Sequence, residues 1–138
     1  MAFWFLSEGT VGTLGTAEVP AFSGTEAQKA RWFAAMRWRR HVESVLAVLG
    51  ITFTQWLVLD ALRELVAETE DAVSQNDVAR RLELDRVTIS GVMRTLERKW
   101  LVSRGIDITG RAWRVFLTDE ADSLLREFAP AIEAISGA

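Results

Sequence analysis

The sequence predicts a mainly α fold with a small β-hairpin wing, the arrangement of a winged helix-turn-helix. Three observations lead there. Polar cap residues at Thr25, Thr52, Ser74 and Asp85 each precede a stretch whose apolar residues recur at helical spacing. The last two of these stretches are separated by only a short turn. After Lys99 the period changes from helical to alternating, in Leu101-Val102-Ser103-Arg104 and again in Trp113-Arg114-Val115-Phe116-Leu117, with Gly105 and Gly110 between.

Residues 1–24 are rich in Gly, Thr and Ala, with Pro20 and the aromatics Phe3-Trp4-Phe5 and Phe22. They read as an irregular arm whose aromatic residues lie on the body or on a partner subunit. Thr25-Glu26-Ala27-Gln28 is a capping box that opens a long helix. Its stripe runs Ala34, Trp38, Val42, Val45, Leu46, Leu49 and stops at Gly50. Trp32, Ala35 and Met36 lie off that stripe, so the helix is expected to be covered on two sides, by its own domain and by another chain.

Thr52-Phe53-Thr54-Gln55 is a second capping box, followed by the core positions Trp56, Leu59, Leu62 and Val66. Ser74, with Asp77 three residues on, caps a short helix that buries Val78 and Leu82. Leu84 and Ile89 flank Asp85 as a hydrophobic staple, so two helices meet at a pinned corner. Beyond the hairpin, Thr118 with Asp119 and Glu120 starts a last helix that Pro130 kinks or ends. On the second wing strand Trp113 and Phe116 fall on opposite faces, so one is expected to pack and the other to be partly exposed.

The side-chain inventory removes most chemistry. With no cysteine, disulfides, thiolate catalysis and cysteine-bound zinc are excluded, and a reducing cytoplasm fits. His41 is the only histidine and no acidic cluster is placed to complete a metal site, so no metal or other cofactor is expected. No phosphate loop, nucleophile elbow or paired carboxylates stand out, and an enzyme is not expected. The uncharged stretch 44–59 is interrupted by Gly50, Thr52, Thr54 and Gln55, which argues against a membrane span; MAFWFLSEG lacks the basic start of a signal peptide.

Charge is unevenly divided. The chain carries a formal net charge of −3, yet residues 74–114 hold nine Lys+Arg against five Asp+Glu, a balance of +4. A nucleic-acid footprint concentrates charge in this way, and so does an ordinary solvated surface. Within that segment, DRVTISGVMRTLERK turns Ile89, Val92, Met93 and Leu96 to one face and Arg86, Val87, Thr88, Ser90, Gly91 and Arg94 to the other. The second face is small and hydrogen-bonding with an arginine at each end, suited to a major groove about 12 Å wide. Gly91 costs such a helix about 1 kcal/mol relative to alanine. Either it lets the helix axis approach the base edges, so that Thr88, Ser90 and Arg94 reach them, or another helix crosses closely there.

From Gly50-Ile51-Thr52 through Leu84-Asp85-Arg86-Val87-Thr88-Ile89-Ser90 and Leu96-Glu97-Arg98 to Arg111-Ala112 and Val115-Phe116-Leu117-Thr118, the sequence resembles the MarR family of bacterial winged-helix regulators, over roughly residues 30–128. The resemblance implies a homodimer with dimerisation helices at 25–50 and 119–138, an N-terminal arm at 1–24 and a DNA-binding lobe at 51–118. It implies a recognition helix in each major groove and a wing tip in the flanking minor groove. Arg111 matches the family's wing arginine; Arg86, Thr88, Ser90 and Arg94 match positions used for base and phosphate contacts; Ser74 and Gln75 match the start of a backbone-clamping helix. With Val87, Gly91 and Arg114 these complete the expected DNA-binding set. Thr109 stands where the family usually has aspartate, Trp100 where a helix-ending glycine is common, and the last helix is short. Dimerisation is therefore expected to rely more on the aromatic arm.

Six tryptophans and no tyrosine leave one question open. Trp32, Trp38, Trp56 and His41 could line a pocket for a small aromatic effector, which the resemblance favours, or the rings could be plain core, as aromatics at helical spacing usually are. The sequence reading is a homodimeric double-stranded DNA-binding transcriptional regulator, a repressor at a pseudo-palindromic operator. Its alternative is a winged-helix protein-interaction module that does not bind DNA.

Overall fold

The computed structural model describes residues 24–106 and 113–135. The N-terminal arm and the wing tip, with Asp107, Thr109 and Arg111, lie outside the described residues. Five helices and one hairpin follow in order: α1 (Glu26–Ala47), α2 (Phe53–Glu68), α3 (Gln75–Leu82), α4 (Arg86–Arg98), β1 (Val102–Ile106), β2 (Trp113–Leu117) and α5 (Asp119–Glu133). The chain divides into two compact units, 1–33 and 34–138. In the first, Thr25 and Gln28 close their reciprocal capping bonds at 2.7 and 3.2 Å. Trp32 and Phe33 there meet edge to face at 5.0 Å, each about half exposed.

In the second unit, helix starts fall where polar side chains satisfy the free amides of the first turn. Thr52 with Gln55, and Ser74 with Asp77, form complete capping boxes. Helices α1, α3 and α4 are followed by a residue whose backbone turns left-handed. Gly50 has φ +68°, but Glu83 (φ 56°) and Trp100 (φ 61°) take the same conformation with side chains that disfavour it. Both are held there by helix-closing bonds. Leu84 N donates to Ala79 O at 3.1 Å, and Leu101 N donates to Leu96 O at 3.0 Å.

The core joins Val42 and Leu46 of α1, Val58, Leu59 and Leu62 of α2, Val78 of α3, and Ile89, Met93 and Leu96 of α4, all fully buried. Each such side chain contributes about 1.5–3 kcal/mol of burial. Val66, expected in that core, is instead 49% exposed; Leu65, one position earlier, packs on it. Trp38, Phe53 and Trp56 form a ring cluster with centroids 5.6–6.1 Å apart, packed against the same core.

β1 and β2 pair antiparallel from Val102↔Leu117 to Ile106↔Trp113, and Val115 N adds a bond to Val73 O at 2.9 Å, which ties the wing to the segment before α3. Val102 and Val115 are the wing residues that are buried, while Trp113 (63%) and Phe116 (39%) are both exposed. Strand alternation put the two aromatics on opposite faces, but the inner face is already filled by Val115. Helix α5 continues through Pro130 to Glu133 rather than ending at the proline. Pro130 lacks an N–H, so the Arg126 carbonyl loses its ladder bond there.

Candidate functional site

Helix α4 presents the two faces its period dictates. Ile89, Met93 and Leu96 are fully buried, whereas Arg86, Val87, Thr88 and Arg94 are exposed, with Ser90 and Gly91 partly covered between them. A Cβ added at Gly91 would meet nothing within 4 Å. Among the described residues no other helix crosses closely enough to need the space.

Asp85 secures the start of this helix. Its carboxylate accepts from the Thr88 amide and the Thr88 hydroxyl, both at 2.8 Å. Thr88 thus faces outward with its hydroxyl proton committed, leaving an acceptor lone pair and a methyl group. These same bonds, the Thr88 amide first, hold the Asp85 carboxyl below its usual range. A group whose folded pKa is depressed adds stability that is complete above its unfolded value, near pH 4, and is lost as pH falls through the lower folded value. The stability gap between the wild type and Asp85→Asn is therefore expected to hold constant above pH of about 4 and to narrow below it in thermal melts; a gap that widens on acidification contradicts this.

The cations of residues 74–106 divide into engaged and unengaged. Arg80 pairs with Asp77, Arg81 with Glu64 and Glu68, and Arg104 with Glu97 at 2.8 Å. Lys99 reaches back to the Gly50 carbonyl (2.6 Å) and to the buried Gln55 amide oxygen (3.0 Å), so it fastens α4 to the α1–α2 turn. Arg98 donates to Thr95 at 3.2 Å. Arg86 and Arg94, like Arg98, have no carboxylate partner among the described residues. Arg94 donates to the Ser90 hydroxyl at 3.2 Å, which orients its guanidinium along the exposed face.

Beside that face lies a cleft of about 580 Å³ bounded by Ser74, Gln75 and Asn76 of the α3 start, Glu97 of α4, and Arg104 and Trp113 of the wing. The capping box engages the amides of Ser74 and Asp77. Those of Gln75 and Asn76, in the first turn, have no intrahelical acceptor and stay available to a ligand. Arg104 spans the cleft floor between Glu97 and the Gln75 side chain. Sequence reasoning named Ser74 and Gln75 but missed Asn76, Arg104 and Trp113. The signal for Arg104 was strand parity: it is in register with the inward-facing Val115.

Arg114, expected among the DNA contacts, has its guanidinium over Phe116 at 4.9 Å and its Nε buried with no hydrogen-bond partner among the described residues, and it lines a cavity with Glu70 and Asp71. Alternation is the reason, since Arg114 and Val115 must point to opposite sides of the hairpin. Of the four residues expected around an effector, Trp38 and Trp56 meet in the ring cluster and His41 is exposed. Trp32 belongs to the other unit. Trp56 also borders a cavity of about 230 Å³ with Asp60, Arg63, Leu125 and Ile132, between α2 and α5. Among the described residues no helix is long and apolar enough to cross a membrane.

A family model described as MarR family matches residues 49–112. The HTH-type transcriptional regulator YdcH of Bacillus subtilis is 32% identical over 73 residues, a match that takes in 53% of this chain and 49% of that protein; this chain thus spans about half the length of the curated relative. The crystal structure of Staphylococcus aureus MepR in complex with DNA superposes with TM-score 0.67 at 26% identity, over 81% of this chain and 80% of that one. BpsR of Bordetella bronchiseptica, whose DNA binding is regulated by 6-hydroxynicotinic acid, gives TM-score 0.67 at 27% identity, over 85% of this chain and 80% of its own.

Proposed function

We propose that this chain, which a model described as MarR family matches through residues 49–112, is a winged helix-turn-helix transcriptional regulator of that family that binds double-stranded DNA sequence-specifically as a homodimer. It acts as a repressor by occupying a pseudo-palindromic operator. The observation that carries this reading is the exposed face of α4, where Arg86 and Arg94 stand without carboxylate partners on either side of a midpoint left bare at Gly91. Most other cations of the segment are already engaged, so this is the face on which positive charge remains open to phosphate and base edges.

In this reading Arg86, Val87, Thr88, Ser90 and Arg94 enter the major groove, with Gly91 at the point of closest approach. The free first-turn amides of α3 and the side chains of Ser74 and Gln75 hold the adjoining phosphate backbone. Arg111 serves the wing tip, as its match to the family's wing arginine suggests. The resemblance to a DNA-bound MepR supports the same pose.

Release by a small aromatic ligand is the further part of this reading, supported by the ligand regulation of BpsR. The cavity beside Trp56, at about 230 Å³, falls below the roughly 300–1,000 Å³ of ordinary small-molecule sites and restricts an occupant to a single ring. Thermal shift against monocyclic aromatic acids tests it, with stabilisation expected; a flat response across the panel removes the effector.

The DNA-binding reading is tested by selecting duplexes from a random pool with the purified protein and weighing the complexes by ultracentrifugation. The expected product is a pseudo-palindrome with half-sites about one helical turn apart, occupied by two chains. No enrichment of any sequence would instead favour a protein-interaction module.

A further inference from the structure

Ile106 and Trp113 are directly opposed across the last rung of the wing described here, and they are 57% and 63% exposed. They share a face with Arg104 and Val115, because antiparallel partners project to the same side and alternate positions repeat it. That is the side of the hairpin turned to α3 and α4, and Trp113 forms a wall of the cleft whose other walls are Ser74, Gln75, Asn76, Glu97 and Arg104. Side-by-side large apolar residues at the end of a hairpin gain nothing from water, and the core is closed without them. The cleft thus has hydrogen-bond donors on the α3 side and the Trp113 indole on the wing side, with Arg104 paired to Glu97 between them, and Ile106 lies beside the indole on the same face of the hairpin.

A DNA strand is likewise divided, alternating anionic phosphates with apolar deoxyribose rings. We propose that Trp113 and Ile106 form a sugar-contacting wall, holding deoxyribose rings of the strand whose phosphates lie against the α3 side of the cleft. Charge complementarity argues for this occupant over a peptide, since the same surface continues into the unneutralised Arg86 and Arg94. The contact adds affinity that carries no sequence information and releases no counterions. The inference rests on the DNA-binding reading above and adds to it a role for two residues that no charge-based reading would select.

The test uses the full chain and a duplex selected by the wild-type protein, with affinity measured across a salt series. Trp113→Ala is expected to weaken binding about tenfold and to leave the slope of log affinity against log salt unchanged, because no cation is lost. Trp113→Phe retains most of the affinity, and Ile106→Ala loses less than Trp113→Ala. Fluorine NMR of fluorotryptophan-labelled protein is expected to show the Trp113 resonance shifting when duplex is added; an equal melting temperature confirms that Trp113→Ala folds. Wild-type affinity in Trp113→Ala, or a Trp113 resonance indifferent to duplex, overturns this inference alone. A wild-type protein that selects no duplex overturns the DNA-binding reading and this inference with it.

Discussion

Gly91→Ala is expected to stabilise this protein and to weaken its grip on DNA. Glycine in a helix interior costs about 0.5–1 kcal/mol relative to alanine. The space around position 91 is open, with nothing within 4 Å of an added Cβ, so that gain is not offset by a clash. A rise in melting temperature of about 4 °C follows for a domain of this size. In the complex the same methyl group would stand between the helix axis and the base edges that Ser90 and Arg94 must reach. Gly91→Leu, still free of clashes at its Cβ in the isolated protein, is expected to lower affinity roughly a hundredfold or more, which corresponds to about 3 kcal/mol. Opposite signs for stability and binding separate a glycine kept for contact from one kept for folding. Melting curves and binding isotherms on the same preparations check both.

Arg94→Ala is the second large effect. A bidentate arginine contact to a guanine edge is worth about 1–3 kcal/mol, so a loss of about 5–150-fold is expected. Arg94 is held by the Ser90 hydroxyl at 3.2 Å, with its fork oriented along the exposed face. Its loss is therefore expected to relax the selected sequence at one base pair in each half-site, and Arg94→Lys, which lacks the planar fork, should recover little. Arg86, at the first turn of α4, is expected to behave differently. Arg86→Ala weakens all sequences alike and lowers the salt slope by about 1, the behaviour of a phosphate contact. Repeating the duplex selection with each variant distinguishes the two roles.

Local signals in the sequence were sufficient for the helix starts and for the faces of α4. Capping requires only residues three positions apart, as Thr52 with Gln55 and Ser74 with Asp77 illustrate, and helical spacing assigned Ile89, Met93 and Leu96 to the interior, where they lie. What escaped was whatever depends on distant partners. Lys99 looks like one more surface cation until Gly50 and Gln55, more than forty positions away, appear beside it. Arg114 and Arg104 look equivalent in the sequence, but hairpin register and the Val73–Val115 bond send one toward Phe116 and the other toward Glu97 and Gln75. The tryptophans were ambiguous for the same reason. Helical spacing says that Trp38 and Trp56 point inward, and only packing says that they meet each other and Phe53. Trp100 illustrates the converse, a residue whose backbone conformation its type disfavours, set by the helix-to-strand junction around it.

The central claim is that the exposed face of α4 enters the DNA major groove, and a single engineered thiol tests it most directly. The chain has no cysteine, so Val87→Cys, at a position 82% exposed on that face, can be reacted with duplexes bearing a disulfide-tethered thiol on a major-groove base edge. Efficient cross-linking at Val87→Cys, with none at the equally exposed Val48→Cys in the α1–α2 turn, is the predicted result. Equal yields at the two positions, or cross-linking at Val48→Cys alone, would contradict it.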